Sequence, residues 1–281
     1  MTEKTKGVLL VARNNGRIDY IRQAVFLAKR IRQYLGLPTS IITDSESYLK
    51  LAFDESVFDN IISVKGHTDS NLKSYFDGSL SYKVINFKNK SRAKCFELSP
   101  YDETILMDTD YIVSNDKLNL CFESDSNLMM FKDSQDIADV RNSREFKYIS
   151  DSSVDFYWAT VVFFRKTEEV EIFFNLVDYI QQEWEHFRNV YQITTSLFRN
   201  DFAFSIAAHI MNGFQSGDFV SLLPGKHLYT TDKDVLLKLD SDHMIFLVEK
   251  HRYVGEYTLI STKGQNIHVM NKFSLERNID V

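Results

Sequence analysis

Residues 104–113 read TILMDTDYIV: a four-residue apolar run, Thr104 to Met107, followed at once by two aspartates, Asp108 and Asp110. A short apolar run bounded by polar residues fits a strand buried on both faces. The same signature appears earlier in GVLLVA (Gly7 to Ala12), TSIIT (Thr39 to Thr43) and NIISV (Asn60 to Val64). Between the first two, Asp19 to Tyr34 reads as a helix, with Ile21, Val25, Ala28, Ile31 and Leu35 on one stripe and Gly36 and Pro38 to end it. A further helix is expected from Ser91 to Leu98, ahead of the TILM strand. Strands alternating with helices predict an α/β fold with a mainly parallel central sheet flanked by helices. Such sheets bind ligands beyond the carboxyl ends of their strands. Three polar clusters fall there: Arg13 to Asn15, Asp44, and Asp108 to Asp110.

The second half has a different texture. Leu128 to Phe131 and Ala159 to Phe164 read as strands, Thr167 to Phe187 as one long helix and Asp201 to Met211 as another, followed by β-like pieces MIFLV, YVGEYTLI and IHVM. No repeat and no Gly/Ser/Pro linker divides the chain, so one domain over 1–281 is expected, with a nucleotide-binding half (1–115) and an acceptor-shaping half (116–281). With 44% hydrophobic residues, a buried core is assured. The net charge of −6 gives no general attraction for nucleic acid, and the basic stretch KVINFKNKSRAK (Lys83 to Lys94) reads as a solvated face. Two cysteines, Cys95 and Cys121, are too few for a disulfide scaffold and lack metal-ligand spacing. The polar leader MTEKTKG has no signal-peptide character, and no run of 18 apolar residues occurs, so a soluble cytoplasmic protein is expected, in host cytoplasm if viral.

Asp108 and Asp110 stand at i and i+2, and in an extended strand end such side chains point the same way. Two carboxylates side by side repel, and a divalent cation resolves the conflict. Mg²⁺ and Mn²⁺ prefer oxygen ligands and often combine one or two carboxylates with substrate phosphates. Asp-x-Asp also occurs by chance on solvated turns; its place directly after a buried strand is what favours a metal site.

The stretch SRAKCFELSPYDETILMDTDYIV, Ser91 to Val113, resembles glycosyltransferases of the GT-A fold, especially glycosyltransferase family 8. The matching features are Lys94 on a helix, Leu98 with Pro100, Tyr101, the strand Thr104 to Met107, and Asp108–Thr109–Asp110. Near the end, NIHVMNK (Asn266 to Lys272) is similar to the family's late histidine and lysine, although the usual Lys-Pro-Trp continuation is replaced by Phe273 and Ser274. The resemblance implies a single GT-A-like (Rossmann-like) domain, Mn²⁺ or Mg²⁺ held by Asp108, Asp110 and His268, and a nucleoside diphosphate sugar donor, UDP-linked. Lys272 would neutralise the diphosphate, and Thr109 would border the donor with its neighbours. Ala12, Arg13 and Asn14 would grip base and ribose. Asp44 would meet uracil or ribose, or else cap a helix over Ser45 to Leu49. Lys94 would touch donor phosphate or sugar, or else be solvated. Asp201 would lie near the transferred sugar, or else cap a helix. Asp133, after LMMF, would orient the acceptor, or else belong to a turn. Trp158–Ala159–Thr160 departs from the family's small polar pattern at that point.

Family 8 enzymes retain anomeric configuration, and retention is the expectation here. The residues do not identify the acceptor; a carbohydrate is one candidate. The DTD and HVMNK segments together also resemble small bacteriophage-encoded transferases, which adds modified bases of viral DNA as acceptors. Tyr157, Trp158 and Trp184 could stack on a sugar or base, or fill the core. A sugar nucleotidyltransferase would need a Gly-rich loop for its triphosphate, and VARNNGRID has one glycine. A non-catalytic nucleotide-sugar-binding protein is the other alternative, weakened by the presence of both carboxylates.

Overall fold

The computed structural model describes residues 4–65, 71–88, 90–138, 146–151, 154–250 and 254–281. Residues 1–3 of the polar leader, Asn89 in the basic stretch and Tyr253 at the head of YVGEYTLI lie outside them.

The apolar runs of the first half become β1 (Lys6–Ala12), β2 (Thr39–Thr43) and β3 (Asn60–Ser63), paired in parallel in that order. Helix α1 (Tyr20–Tyr34) joins β1 to β2. Asp19 caps it by accepting from the Arg22 N–H at 3.0 Å. Its stripe Ile21, Val25, Ala28 and Ile31 is buried, and Gly36 just beyond adopts a left-handed φ of 66° that suits glycine. Helix α2 (Glu46–Ala52) joins β2 to β3. A hairpin with no forerunner in the sequence reading follows, β4 (Leu72–Phe76) and β5 (Tyr82–Asn86). The helix expected over Ser91 to Leu98 is a 3₁₀ turn, Arg92–Lys94, leading into one α turn, α3 (Cys95–Leu98). The TILM strand is β6 (Glu103–Met107), parallel to β1 on the side away from β2.

After β6 come β7 (Tyr111–Ile112), β8 (Leu128–Phe131), β9 (Ser134–Asp136) and β10 (Trp158–Arg165). Every residue of β10 is buried, and the strand runs antiparallel between β6 and β8. The long helix expected over Thr167 to Phe187 is two, α4 (Glu168–Gln182) and α5 (Trp184–Val190), broken at Glu183. Tertiary contacts account for the break: Trp184 is buried against Phe202 and donates from Nε1 to the Ser196 carbonyl at 3.0 Å. Helix α6 (Asn200–Met211) packs on β10. The chain ends with β11 (Ser221–Leu222), β12 (His227–Thr230), β13 (Val235–Asp240), β14 (His243–Glu249), β15 (Tyr257–Lys263), β16 (Ile267–Val269) and α7 (Lys272–Asn278).

The central sheet therefore has seven strands in the order β11-β8-β10-β6-β1-β2-β3, with β10 antiparallel to both neighbours and every other pairing parallel. A second sheet, β7-β16-β12-β9, stitches the C-terminal segment to the turn after β6. Strands β13-β14-β15 form an antiparallel meander. One tight contact packs the Tyr101 ring on the interior strands β1 and β2. Gly7 lies so close to the Tyr101 ring that a Cβ would sit 2.3 Å from it, while the Tyr101 hydroxyl bonds Ser40 at 2.7 Å. Among the described residues, no helix is long and apolar enough to cross a membrane.

Candidate functional site

The two aspartates do not sit on an extended strand end. The Asp108 N–H donates to the Thr160 carbonyl (2.8 Å), and the Tyr111 N–H donates back to the Asp108 carbonyl (3.2 Å), so Asp108 to Tyr111 forms a turn. The turn, rather than strand alternation, makes the carboxylates converge. The chain then enters β7, whose antiparallel pairing sets Tyr111 opposite His268, and the Val269 N–H donates to the Asp110 carbonyl (2.9 Å). His268 thereby reaches across 158 residues: its Nε2 lies 3.2 Å from Asp110 Oδ2 and its Nδ1 3.3 Å from the Thr160 hydroxyl. One ligand atom from each of Asp108, Asp110 and His268 lies within 4.8 Å of the others. The Lys272 ammonium, at the start of α7, also bonds Asp110 Oδ2.

Asp110 and His268 are buried, whereas 40% of the Asp108 side chain remains exposed to the cleft. Desolvation pushes the Asp108 carboxyl up; Arg92 opposes this and the charge of Asp110 adds to it. At Asp110 desolvation works in the same direction, but Lys272 and His268 outweigh it and hold the carboxyl far below the ordinary range. Burial disfavours the Lys272 ammonium, yet Asp110 more than compensates and raises it. His227 on β12 packs beside His268, ring centres 5.6 Å apart, fully buried, with burial pushing it well towards the neutral form.

Asp108, Asp110, His268 and Lys272 line a cleft beyond the carboxyl ends of β1 and β6, as the parallel sheet requires. Arg92 is the principal residue the sequence reading missed. It is buried, its Nη1 lies 3.3 Å from Asp108 Oδ1, and its guanidinium also donates to the carbonyls of Ala159 and, at 3.5 Å, Thr160. Lys94, chosen instead, turns away and pairs with Asp178 at 2.9 Å, outside the cleft lining. In a 3₁₀ turn, residues two apart point about 240° apart, so only one of the pair can face inward. A signal was present: Arg92 shares its face with apolar Cys95, Lys94 with exposed Glu97.

At the opposite end, Arg13 lines the cleft while its Nε bonds Asp44 at 3.2 Å and its Nη1 the Ser91 hydroxyl at 3.1 Å. Lys88 adds a second cation to Asp44 at 3.1 Å. Burial would raise the Asp44 carboxyl, but Lys88, Ser45 and Arg13 bring it below its ordinary value. Asp44 is thus an ion-pair partner; Ser45 occupies the cap position of α2. Ala12 is buried at the end of β1, and Asn14 secures the start of α1 by accepting from the Ile21 N–H (3.1 Å) and donating to Asp19 (3.0 Å). Neither borders the cleft; Val11 and Arg13 do. Thr109 borders it, with its hydroxyl directed to Gln23 at 3.3 Å.

Asp201 does reach the cleft. It lies in the first turn of α6, not at the cap, which is Arg199. One oxygen accepts from the Ala159 N–H at 2.9 Å and the other from Arg199 at 2.8 Å. Desolvation opposes its charge, but Arg199 outweighs it and the carboxyl is lowered. Asp133 does not join the others. It is exposed two residues past β8, two strand positions from β6 (roughly 10 Å at usual spacing), and borders a separate depression with Leu222 and Lys226. Tyr157 and Trp184 are core residues outside the cleft lining, whereas Trp158 borders it. Arg199, two residues before Asp201, also lines the cleft, as do Lys73 and Asp232 from segments whose position the sequence did not suggest.

No protein-family model and no curated protein sequence matches the chain. Among solved structures, it is similar to a galactosyltransferase, LgtC, determined in complex with donor and acceptor sugar analogues: 12% identity and a TM-score of 0.47, over 77% of this chain and 72% of that one. It is also similar to the glycosyltransferase GlyE of Streptococcus pneumoniae: 16% identity and a TM-score of 0.43, over 78% of this chain. This chain spans 45% of the length of GlyE.

Proposed function

We propose that this protein is a metal-dependent glycosyltransferase that moves a sugar from a UDP-linked donor to a carbohydrate hydroxyl, with retention of anomeric configuration. The observation that carries the reading is the meeting of Asp108, Asp110 and His268 in a cleft also lined by Arg13, Lys73, Lys88, Arg92, Arg199 and Lys272. These cations outnumber the carboxylates of the lining, Asp108, Asp110, Asp201 and Asp232, which suits a ligand that is itself an anion.

Two carboxylates and an imidazole, with one ligand atom of each within 4.8 Å of the others, are a fitting donor set for Mn²⁺. A bound ion there would supply Lewis-acid stabilisation of charge on the departing diphosphate. The remaining work belongs to the chain's own residues. Lys272 neutralises phosphate charge from a buried position, where the electrostatic effect is largest. Arg92, clamped by two carbonyls, fixes the rotamer of Asp108. Arg13, backed by Asp44 and Lys88, meets the nucleoside end. Asp201, locked by Arg199 and the Ala159 N–H, orients hydroxyls of the transferred sugar. Free space in the cleft is about 170 Å³, below the roughly 300–1,000 Å³ of pockets that bury small-molecule ligands.

The test is thermal melting with UDP-sugars, with Mn²⁺ or with EDTA. A ligand that binds only the native state raises the melting temperature by mass action. The expected result is stabilisation by UDP-sugar that requires Mn²⁺, with UDP release when an acceptor is added. Absence of a shift with every nucleoside diphosphate tried would sink the reading.

A further inference from the structure

We propose that Lys73, presented by the β4–β5 hairpin, is a phosphate-binding residue that acts with Lys272 on the diphosphate of the ligand. The inference rests on the nucleoside diphosphate reading above for the identity of the ligand, but the placement of Lys73 stands by itself. Along β4 the exposed residues are Leu72 and Ser74, and the intervening Lys73 and Tyr75 line the cleft, as strand alternation requires. The Lys73 ammonium lies 4.9 Å from the centre of the Phe87 ring and 5.3 Å from that of Tyr75, so two aromatic faces hold the charged end itself.

What sets Lys73 apart is charge balance. Arg13 and Lys88 share Asp44, Arg92 faces Asp108, Arg199 grips Asp201 and Lys272 holds Asp110. Among the described residues, no carboxylate lies within ion-pairing distance of Lys73. Burial, followed by the charges of Lys272 and Arg199, brings its ammonium down to about 8. Asp232, across the same cleft, acts on Lys73 only at longer range, so an anion entering the cleft supplies the close partner that the protein does not.

The hairpin is built to hold this position. Asp77 makes a two-point pair with Arg277 at 2.7 and 2.8 Å, the Ser79 N–H donates to the Tyr257 hydroxyl at 2.7 Å, and Lys83 lies over Phe273 at 5.2 Å. Helix α7, which begins at Lys272, therefore also anchors the hairpin that carries Lys73. Two cations far apart in sequence are placed by one structural unit.

The experiment compares wild type, Lys73→Met and Lys73→Arg by calorimetric titration with inorganic pyrophosphate, UDP and UMP, all with Mn²⁺. In parallel, amine acetylation of the wild type is read by peptide mass spectrometry. Lys73→Met should bind pyrophosphate and UDP about 10-fold or more weakly, since charge-assisted contacts are worth more than a factor of ten. UMP affinity should change little, and Lys73→Arg should keep most of the affinity. Pyrophosphate should protect Lys73 from acetylation. Melting of both variants close to wild type separates lost binding from lost folding. Unchanged pyrophosphate affinity in Lys73→Met, or acetylation of Lys73 indifferent to pyrophosphate, overturns the proposal. Wild-type binding of pyrophosphate but not UDP leaves Lys73 in place and defeats the UDP-sugar reading. Equal UDP binding by wild type and Lys73→Met does the reverse, and failure of wild type to bind any probe removes both.

Discussion

Replacing Asp110 by Asn keeps the shape of the side chain and removes its charge, which tests the centre of the site in two ways. In the free protein the Asp110 carboxylate, 4% exposed, faces the Lys272 ammonium, 13% exposed, so solvent screens the pair little. Neutralising one member of a buried pair costs about 3–5 kcal/mol, because the other charge is left without compensation. Relief of repulsion with Asp108 offsets part of this. Asp108 is 40% exposed and already faces Arg92, so the offset is about 1 kcal/mol, the scale of a solvent-screened interaction. The net loss, about 2–4 kcal/mol, corresponds to a drop of roughly 3–7 °C in melting temperature for a chain of this size. The assay is melting in EDTA. In Mn²⁺ at 100 times its dissociation constant, wild type should gain about 2.7 kcal/mol, while Asp110→Asn, lacking a ligand, should gain almost nothing. A variant that melts within about 1 °C of wild type in EDTA, and is stabilised equally by Mn²⁺, would refute both the ion-pair and the metal-ligand argument.

Arg92→Lys replaces a fork that serves Asp108 and two carbonyls with a point charge that cannot serve all three; UDP release should fall about 100-fold, and an unchanged rate would show that Asp108 needs no such clamp. Because the folded-state pKa of Asp44 lies below its unfolded value, the unfolded chain takes up the proton first. Its stabilising contribution is therefore complete above about pH 4 and lost as acid is added below that. Asp44→Asn should be less stable at neutral pH and show a shallower loss between pH values of about 4 and 3 in urea titrations, and identical acid slopes would contradict the Arg13–Asp44–Lys88 cluster. Gly7→Ala drives a methyl into the Tyr101 ring and should lower the urea midpoint by the equivalent of about 1–3 kcal/mol without changing the slope; an unaffected midpoint would mean that the ring moves freely.

Much of the framework was written locally. The runs GVLLVA, TSIIT and TILM became buried strands because each is apolar over the length of one strand and is bounded by polar residues. The stripe on α1 became its buried face because its spacing matches the helical period. The end of β6 was recognisable as a site because Asp108 and Asp110 follow it directly, and resemblance to a known motif brought in His268 and Lys272. The hairpin β4–β5 escaped notice since its strands, LKSYF and YKVIN, mix exposed polar and apolar residues without a clean period. The long helix that breaks at Glu183 carries no proline or glycine to announce the break; the buried ring of Trp184 imposes it.

The sequence by itself determined the parallel strands β1, β2, β3 and β6, the buried face of α1, and which acidic residues stand at the end of β6, because those properties depend on neighbours a few positions apart. Only the tertiary structure decided that Arg92 faces inward and Lys94 outward, that a turn makes the two aspartates converge, that Asp133 stays apart while Asp201 enters, and that Lys73 shares a cleft with Lys272. Those outcomes follow from desolvation and charge pairing between residues up to 200 positions apart, as with Asp77 and Arg277. No local pattern encodes that balance, since it exists only once the chain has closed around it.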